Sequence, residues 1–247
     1  MVQTMWRKVV LNAGIGVALL ASFYILFGTR IEEVLLSSFT PTLNTTKIRA
    51  AQIRAKSEAS YNWTDVKSTN LTAIAQSRIK NNENIIGFMT QPQAKIAVTI
   101  QAGVSNDVLN VSAGTLRPDQ ELGKDNYVLA AHHIPGSEWA LFSGLYYNAE
   151  VGQRVYLTDM DKVYEYKITN VRLVDERDVY IVAKDRYKED VDGIVPGQPM
   201  ITLISCDATG GKRITEYGTL IETYDFDKDK IPGEAVEGFE RAADFEW

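Results

Sequence analysis

One stretch of the chain is apolar without interruption by charge. Val9 to Phe27 reads VVLNAGIGVALLASFYILF, nineteen residues with Asn12 as the main polar break. At ~1.5 Å rise per residue it predicts a helix of roughly 28 Å, about the hydrocarbon thickness of a bilayer. Lys47 to Ala59 is rich in helix formers but poor in large apolar residues, which predicts a helix with little to bury. Trp63-Thr64-Asp65 opens a second helical segment, with Thr64 or Asp65 as cap and Val66, Leu71, Ile74 and Ile79 as its apolar positions. From Ile85 the spacing changes to short β-branched and aromatic runs. These predict strands at Ile85–Thr90, Lys95–Ile100, Tyr127–Ala131, Arg154–Thr158, Val163–Val174, Pro199–Ser205 and Ile214–Tyr224. Short helices are expected at Asn106–Asn110 and Glu138–Tyr146. Many short strands with glycine-containing connections predict a mainly β fold, a closed barrel of about eight strands. Asp175 to Gln198 is too polar for a central strand and too long for a simple turn, the signature of a loop walling a site.

Charge places these elements relative to a membrane. Arg7 and Lys8 precede the apolar run with no acid, whereas Arg30, Glu32 and Glu33 follow it. The positive-inside bias then keeps the N-terminus in the cytoplasm and the remainder outside. A cleaved signal peptide is the competing reading, but its core is usually shorter and no small-x-small site follows Phe27. The expected organisation is a transmembrane anchor over 1–28, a stalk over 29–62, a β-barrel domain over 63–224 and an acidic tail over 225–247. The tail holds eight acids against three bases, most of the formal net charge of −6. It reads as a solvated tail or weak helix, with Phe239, Phe245 and Trp247 available to dock. An acidic chain offers no general attraction for nucleic acid.

Chemistry enters with the least frequent residues. Cys206 is the only cysteine, and outside the cell a lone cysteine has no internal disulfide partner, so it is a buried structural thiol or a reactive one. It ends the run Thr202-Leu203-Ile204-Ser205-Cys206, and a loop with Gly210 and Gly211 leads to the Ile214–Tyr224 strand. A direct antiparallel return puts Arg213 opposite Cys206, where a guanidinium favours a thiolate and holds an oxyanion. The only two histidines, His132 and His133, adjoin each other at the end of the strand from Tyr127. Successive strand side chains face opposite ways, so one of the two meets the cysteine. A single cysteine and two adjacent histidines make a poor metal set. One Cys, one His and one Arg outline a thiol acyl-transfer site.

At these residues the sequence resembles a known family. Thr202-Leu203-Ile204-Ser205-Cys206 is similar to the TLxTC signature of sortases, the Gram-positive surface transpeptidases, and Arg213 falls where their arginine follows the cysteine. Tyr127-Val128-Leu129-Ala130-Ala131-His132 resembles the segment that ends in their catalytic histidine, and Ala113-Gly114-Thr115-Leu116 also matches. The anchor and the helix from Trp63 fit the class A, housekeeping subgroup. The resemblance implies Cys206 as nucleophile, Arg213 as oxyanion and substrate clamp and His132 as acid/base, with Ala131, Ile204 and Ser205 at the substrate. Ser205 stands where a threonine is usual, and Ile96-Ala97-Val98 lacks a common proline. Some class A members bind calcium through acids before the histidine; here Asp119, Glu121 and Asp125 are mixed with Arg117 and Lys124, so no cofactor is expected.

The implied activity is cleavage of a Leu-Pro-x-Thr-Gly sorting signal between Thr and Gly and transfer of the surface protein to a peptidoglycan precursor amine. Two other classes share some of these features. An L,D-type transpeptidase uses cysteine chemistry on muropeptides, but its histidine-glycine-cysteine signature is absent, since Ser205 precedes Cys206. A non-catalytic anchored binding module would leave Cys206 inert.

Overall fold

The computed structural model describes residues 2–37, 41–63, 84–185, 197–206 and 211–247, together with residues 66, 69, 73, 74, 76 and 77. Helix α1 (Val2–Ser37) contains the long apolar run, and its side chains from Ile15 to Phe27 are mostly exposed. Among the described residues no helix is long and apolar enough to cross a membrane. The side chains of Val9 and Leu11, inside the expected span, lie outside the description. Thr64 and Asp65, the expected cap of the second helical segment, and most of 67–83 also lie outside the described residues.

Eight strands close a barrel in the order β1-β2-β3-β4-β7-β8-β6-β5. They are β1 (Ile85–Gln91), β2 (Ile96–Gln101), β3 (Ala113–Thr115), β4 (Asn126–Ala130), β5 (Arg154–Thr158), β6 (Lys162–Asp175), β7 (Met200–Cys206) and β8 (Lys212–Asp225). Strand pairs are antiparallel except β2 with β3 and β4 with β7. The seven expected strands are present within about two residues. β3 is the addition. Three residues are too few to carry a periodic signal, and Ala113–Thr115 becomes a strand only because it bridges β2 to β4. Inward-facing residues such as Met89, Ile100, Leu129, Leu157, Ile168 and Leu203 fill the barrel and are wholly buried.

Helix α3 (Asn106–Leu109) follows β2 and is capped by Ser105, whose hydroxyl accepts from Val108 N at 3.3 Å. Helix α4 spans Ser143–Asn148 rather than the expected Glu138–Tyr146. Ser137 instead turns the chain there, its hydroxyl accepting from the amides of Trp139 and Ala140. Gly144 lies so close to Ala94 O that a Cβ would approach it to 1.8 Å, which requires glycine.

The stalk segment departs from the expected layout, while the tail takes the helical, docked form that its Phe239, Phe245 and Trp247 allowed. Helix α2 (Thr45–Glu58), expected as part of a stalk, is docked on β1, with Ile48 and Ala51 buried. The expected acidic tail is folded: α5 (Gly233–Ala242) lies on β1 and β2 and buries Ala235, Val236, Phe239 and Ala242. Net charge concealed this helix because its apolar residues recur at i, i+1, i+4 and i+7, a narrow stripe beneath a charged outer face. Phe88 on the barrel's outer side meets Phe239 edge-to-face at 5.2 Å and Phe245 at 5.0 Å, and Phe226 stacks on Trp247 at 4.9 Å. Leu43 N donates to Asp244 O at 2.7 Å and Asp244 N to Pro41 O at 3.0 Å, which ties the two ends of the domain together.

Candidate active site

The site forms where β7 ends and β8 begins. Residues Ile201 to Cys206 pair in unbroken antiparallel register with Gly218 to Arg213, so Cys206 and Arg213 are direct cross-strand partners. The description covers the backbone of Cys206, and residues 207–210 of the connecting loop lie outside it. β8 begins at Lys212, which pairs with Asp175 of β6. Alternation then turns Lys212 to the opposite face from Arg213.

His132 is brought to this point through β4, which runs parallel to β7 with Ala130 beside Ile204. Beyond the strand, Ala131 N donates to Ile204 O at 3.2 Å and the Ser205 hydroxyl donates to Ala131 O at 3.1 Å. Phe142 N donates to His132 O at 3.2 Å. Two of these bonds hold Ala131, the residue before the histidine, against the strand that carries the cysteine, and the third ties the histidine's own carbonyl to Phe142. Ser205, expected at the substrate, uses its hydroxyl on this internal bond and is 1% exposed. The missing methyl relative to threonine leaves that bond in place.

His132, Arg213, Ser205, Ile204 and Ala131 line one pocket of about 590 Å³ including its open mouth. His133 turns away and packs against the rings of Tyr146 and Tyr147 at 5.0 and 5.6 Å. His132 is 8% exposed, and its Nε2 is buried with no hydrogen-bond partner among the described residues. Burial, and secondarily the Arg213 charge, lower its pKa to about 4. The resting imidazole is therefore neutral at physiological pH and able to accept a proton.

The far side of the pocket is apolar. Val104 and Leu109 from the α3 region, Leu116 after β3, and Ile181 and Val182 from the segment after β6 form it, joined by Trp63 and Val66. Individually these residues read as core; only the fold gathers them. Two polar residues that carried no sequence signal brace this wall. Arg117 donates to Val182 O at 2.7 Å and to Asn126 O at 2.8 Å, while Asn126 Nδ2 donates to Ala183 O at 2.9 Å. Asn126 Oδ1 also accepts from the Thr202 hydroxyl at 2.8 Å, linking the wall to β7. Part of the expected loop wall is thus in place, with residues 186–196 outside the described residues. The acids considered for calcium are paired with cations: Lys184 lies 3.3 Å from Asp125 and 3.9 Å from Asp119, Arg117 lies 3.1 Å from Asp119, and Lys124 pairs with Glu121.

Known proteins resemble this chain in sequence and fold. The sortase domain family matches residues 89–221. Sortase A of Streptococcus agalactiae serotype III (strain NEM316) is 31% identical over 229 residues, 90% of this chain and 86% of the relative. Sortase A of Listeria monocytogenes serovar 1/2a is 24% identical over 212 residues, 84% of this chain and 90% of the relative. The crystal structure of Listeria monocytogenes sortase A superposes with a TM-score of 0.53 at 28% identity, covering 64% of this chain and 98% of that one. The domain match, the relative aligned over nine-tenths of the chain and the shared barrel agree: this chain belongs to the sortase family.

Proposed function

We propose that the protein is a class A-type cysteine transpeptidase that cleaves a Leu-Pro-x-Thr-Gly-type sorting signal between Thr and Gly and joins the surface protein to a peptidoglycan precursor amine. The cross-strand pairing of Cys206 with Arg213, beside a pocket that contains His132, carries this reading. As the peptide binds, neutral His132 takes the Cys206 thiol proton. The thiolate sulfur then bonds to the Thr carbonyl carbon, and Arg213 holds the oxyanion that forms. Collapse breaks the Thr–Gly C–N bond. His132, now an imidazolium, gives its proton to the departing glycine amine. The acceptor amine attacks the thioester and loses its proton to His132, and the sulfur leaves as thiolate to be reprotonated. Atoms and protons balance without a cofactor.

No metal takes part in this cycle. The Lys184 ammonium beside Asp119 and Asp125 and the Arg117 guanidinium on Asp119 support that reading, since both carboxylates already have cationic partners. The apolar run in α1 supports a single-pass anchor with the N-terminus in the cytoplasm and the barrel outside. Such an anchor would hold the site near a lipid-linked acceptor.

Mass spectrometry of the full-length protein after incubation with a sorting-signal peptide tests the reading. An adduct equal to the acyl fragment, located on Cys206 and absent from Cys206→Ala, is expected. An unmodified Cys206 under conditions of peptide excess would point instead to a non-catalytic binding module.

A further inference from the structure

The pocket has two chemically distinct ends. His132, Ser205 and Arg213 mark one, with Glu176 also lining the pocket; Val104, Leu109, Leu116, Trp63 and Val66, which pack together, form the other. The last two come from the segment after α2, ahead of the matched sortase domain, which begins at residue 89. The start of that segment, at Ser60 and Tyr61, is held in place. Val104 N donates to Ser60 O at 2.8 Å, and Gly103, at φ +83°, sits so close that a Cβ would lie 2.4 Å from the same oxygen. Only glycine allows this approach. Tyr61 adds a side-chain hydrogen bond with Thr115, whose hydroxyl also accepts from Gly103 N at 3.0 Å. Trp63 and Val66 therefore pack on Val104, Val108 and Leu109 while remaining half-buried, each keeping surface in the pocket.

We infer that Trp63 and Val66 are specificity-determining residues, forming the outer wall for the large apolar side chain of the substrate peptide. The inference rests on the proposed transpeptidase reading. A peptide whose reacting carbonyl lies at the His132–Arg213 end directs the residues before it along the pocket. A leucine side chain directed to the apolar end would meet the indole of Trp63 on one side and Leu109 and Leu116 on others. An alanine there leaves that surface uncovered, and pocket contacts of this size discriminate by roughly 10- to 200-fold. Discrimination is then set partly by a segment outside the matched domain.

The test measures kcat and KM of full-length protein in detergent micelles for two sorting-signal peptides, one with Leu and one with Ala at the first position. Wild type should prefer Leu by about 30-fold in kcat/KM. In Trp63→Ala the preference should fall to about 5-fold or less, mainly through a higher KM for the Leu peptide. Val66→Ala should give a smaller decline, and Trp63→Phe should restore most of the preference. An unchanged Leu/Ala ratio in both Trp63→Ala and Val66→Ala overturns the inference, even if all rates drop, because a purely structural loss affects both peptides alike. A rise in rate for both peptides in Trp63→Ala also overturns it and identifies the segment as an obstruction. Absence of wild-type turnover on either peptide would refute the transpeptidase reading itself and the inference with it.

Discussion

Glu216 lies inside the barrel on β8, opposite Leu203 of β7, and is 0% exposed. Gln91 Nε2 donates to its Oε1 at 3.1 Å, while Oε2 is buried with no partner among the described residues. Burial raises its pKa to about 8; the Gln91 bond opposes that shift only in part. The folded protein thus keeps the acid protonated to about pH 8, whereas the unfolded chain ionises it near the ordinary glutamate value of 4.5. A raised carboxyl pKa gives stability that is complete below pH 4.5 and is lost as pH rises toward 8. The loss runs at up to 1.36 kcal/mol per pH unit, roughly 3 kcal/mol by pH 7 and about 4 by pH 8. Glu216→Gln removes the titration and retains an oxygen that can accept from Gln91. The stability advantage of the glutamine variant over wild type should therefore widen by about 3 kcal/mol between pH 4.5 and pH 7. Urea unfolding of both full-length proteins in the same detergent, at four or five pH values, measures this difference with other titrations common to both. A difference constant within about 0.5 kcal/mol across pH 5–8 would refute a neutral, buried Glu216.

Further outcomes are expected for the two histidines, for Arg213 and Lys212, and for calcium. His132 should titrate near pH 4 by NMR, moving upward in Arg213→Ala but staying below 6.5, because burial is the larger cause; His132→Ala should abolish most transpeptidation while His133→Ala costs much less, and the reverse order would remove His132 from the mechanism. Arg213→Lys should lower kcat by roughly 10²-fold or more, since an ammonium lacks the planar fork that holds an oxyanion; near-wild-type kcat would leave only a nearby positive charge, and Lys212→Ala should change it little because Lys212 faces away. Calcium and a chelator should give rates within about twofold of each other, as Lys184 and Arg117 already pair with Asp119 and Asp125; a strong calcium dependence would show that these cations can be displaced.

Local chemistry was readable in the chain itself. β-Branched alternation located seven strands, because inward and outward residues alternate wherever a barrel wall separates core from solvent. The short Gly210-Gly211 connection set the Cys206–Arg213 register, since a brief return between two long strands leaves little freedom to slip. Packing decided the rest. β3 exists only through its neighbours, and α2 and α5 are held by contacts with Phe88 and the outer face of β1 that no local propensity reports. Charge made residues 225–247 look solvated, yet a four-residue stripe and three aromatic rings suffice to dock them, because burial depends on which faces meet rather than on average composition. The same holds at the site: strand alternation required one histidine to point inward, but which one depended on the bonds from Ala131, His132 and Ser205 beyond the end of β4. Trp63, more than a hundred residues before Cys206 in sequence, reaches the pocket only because Gly103 lets two backbones touch.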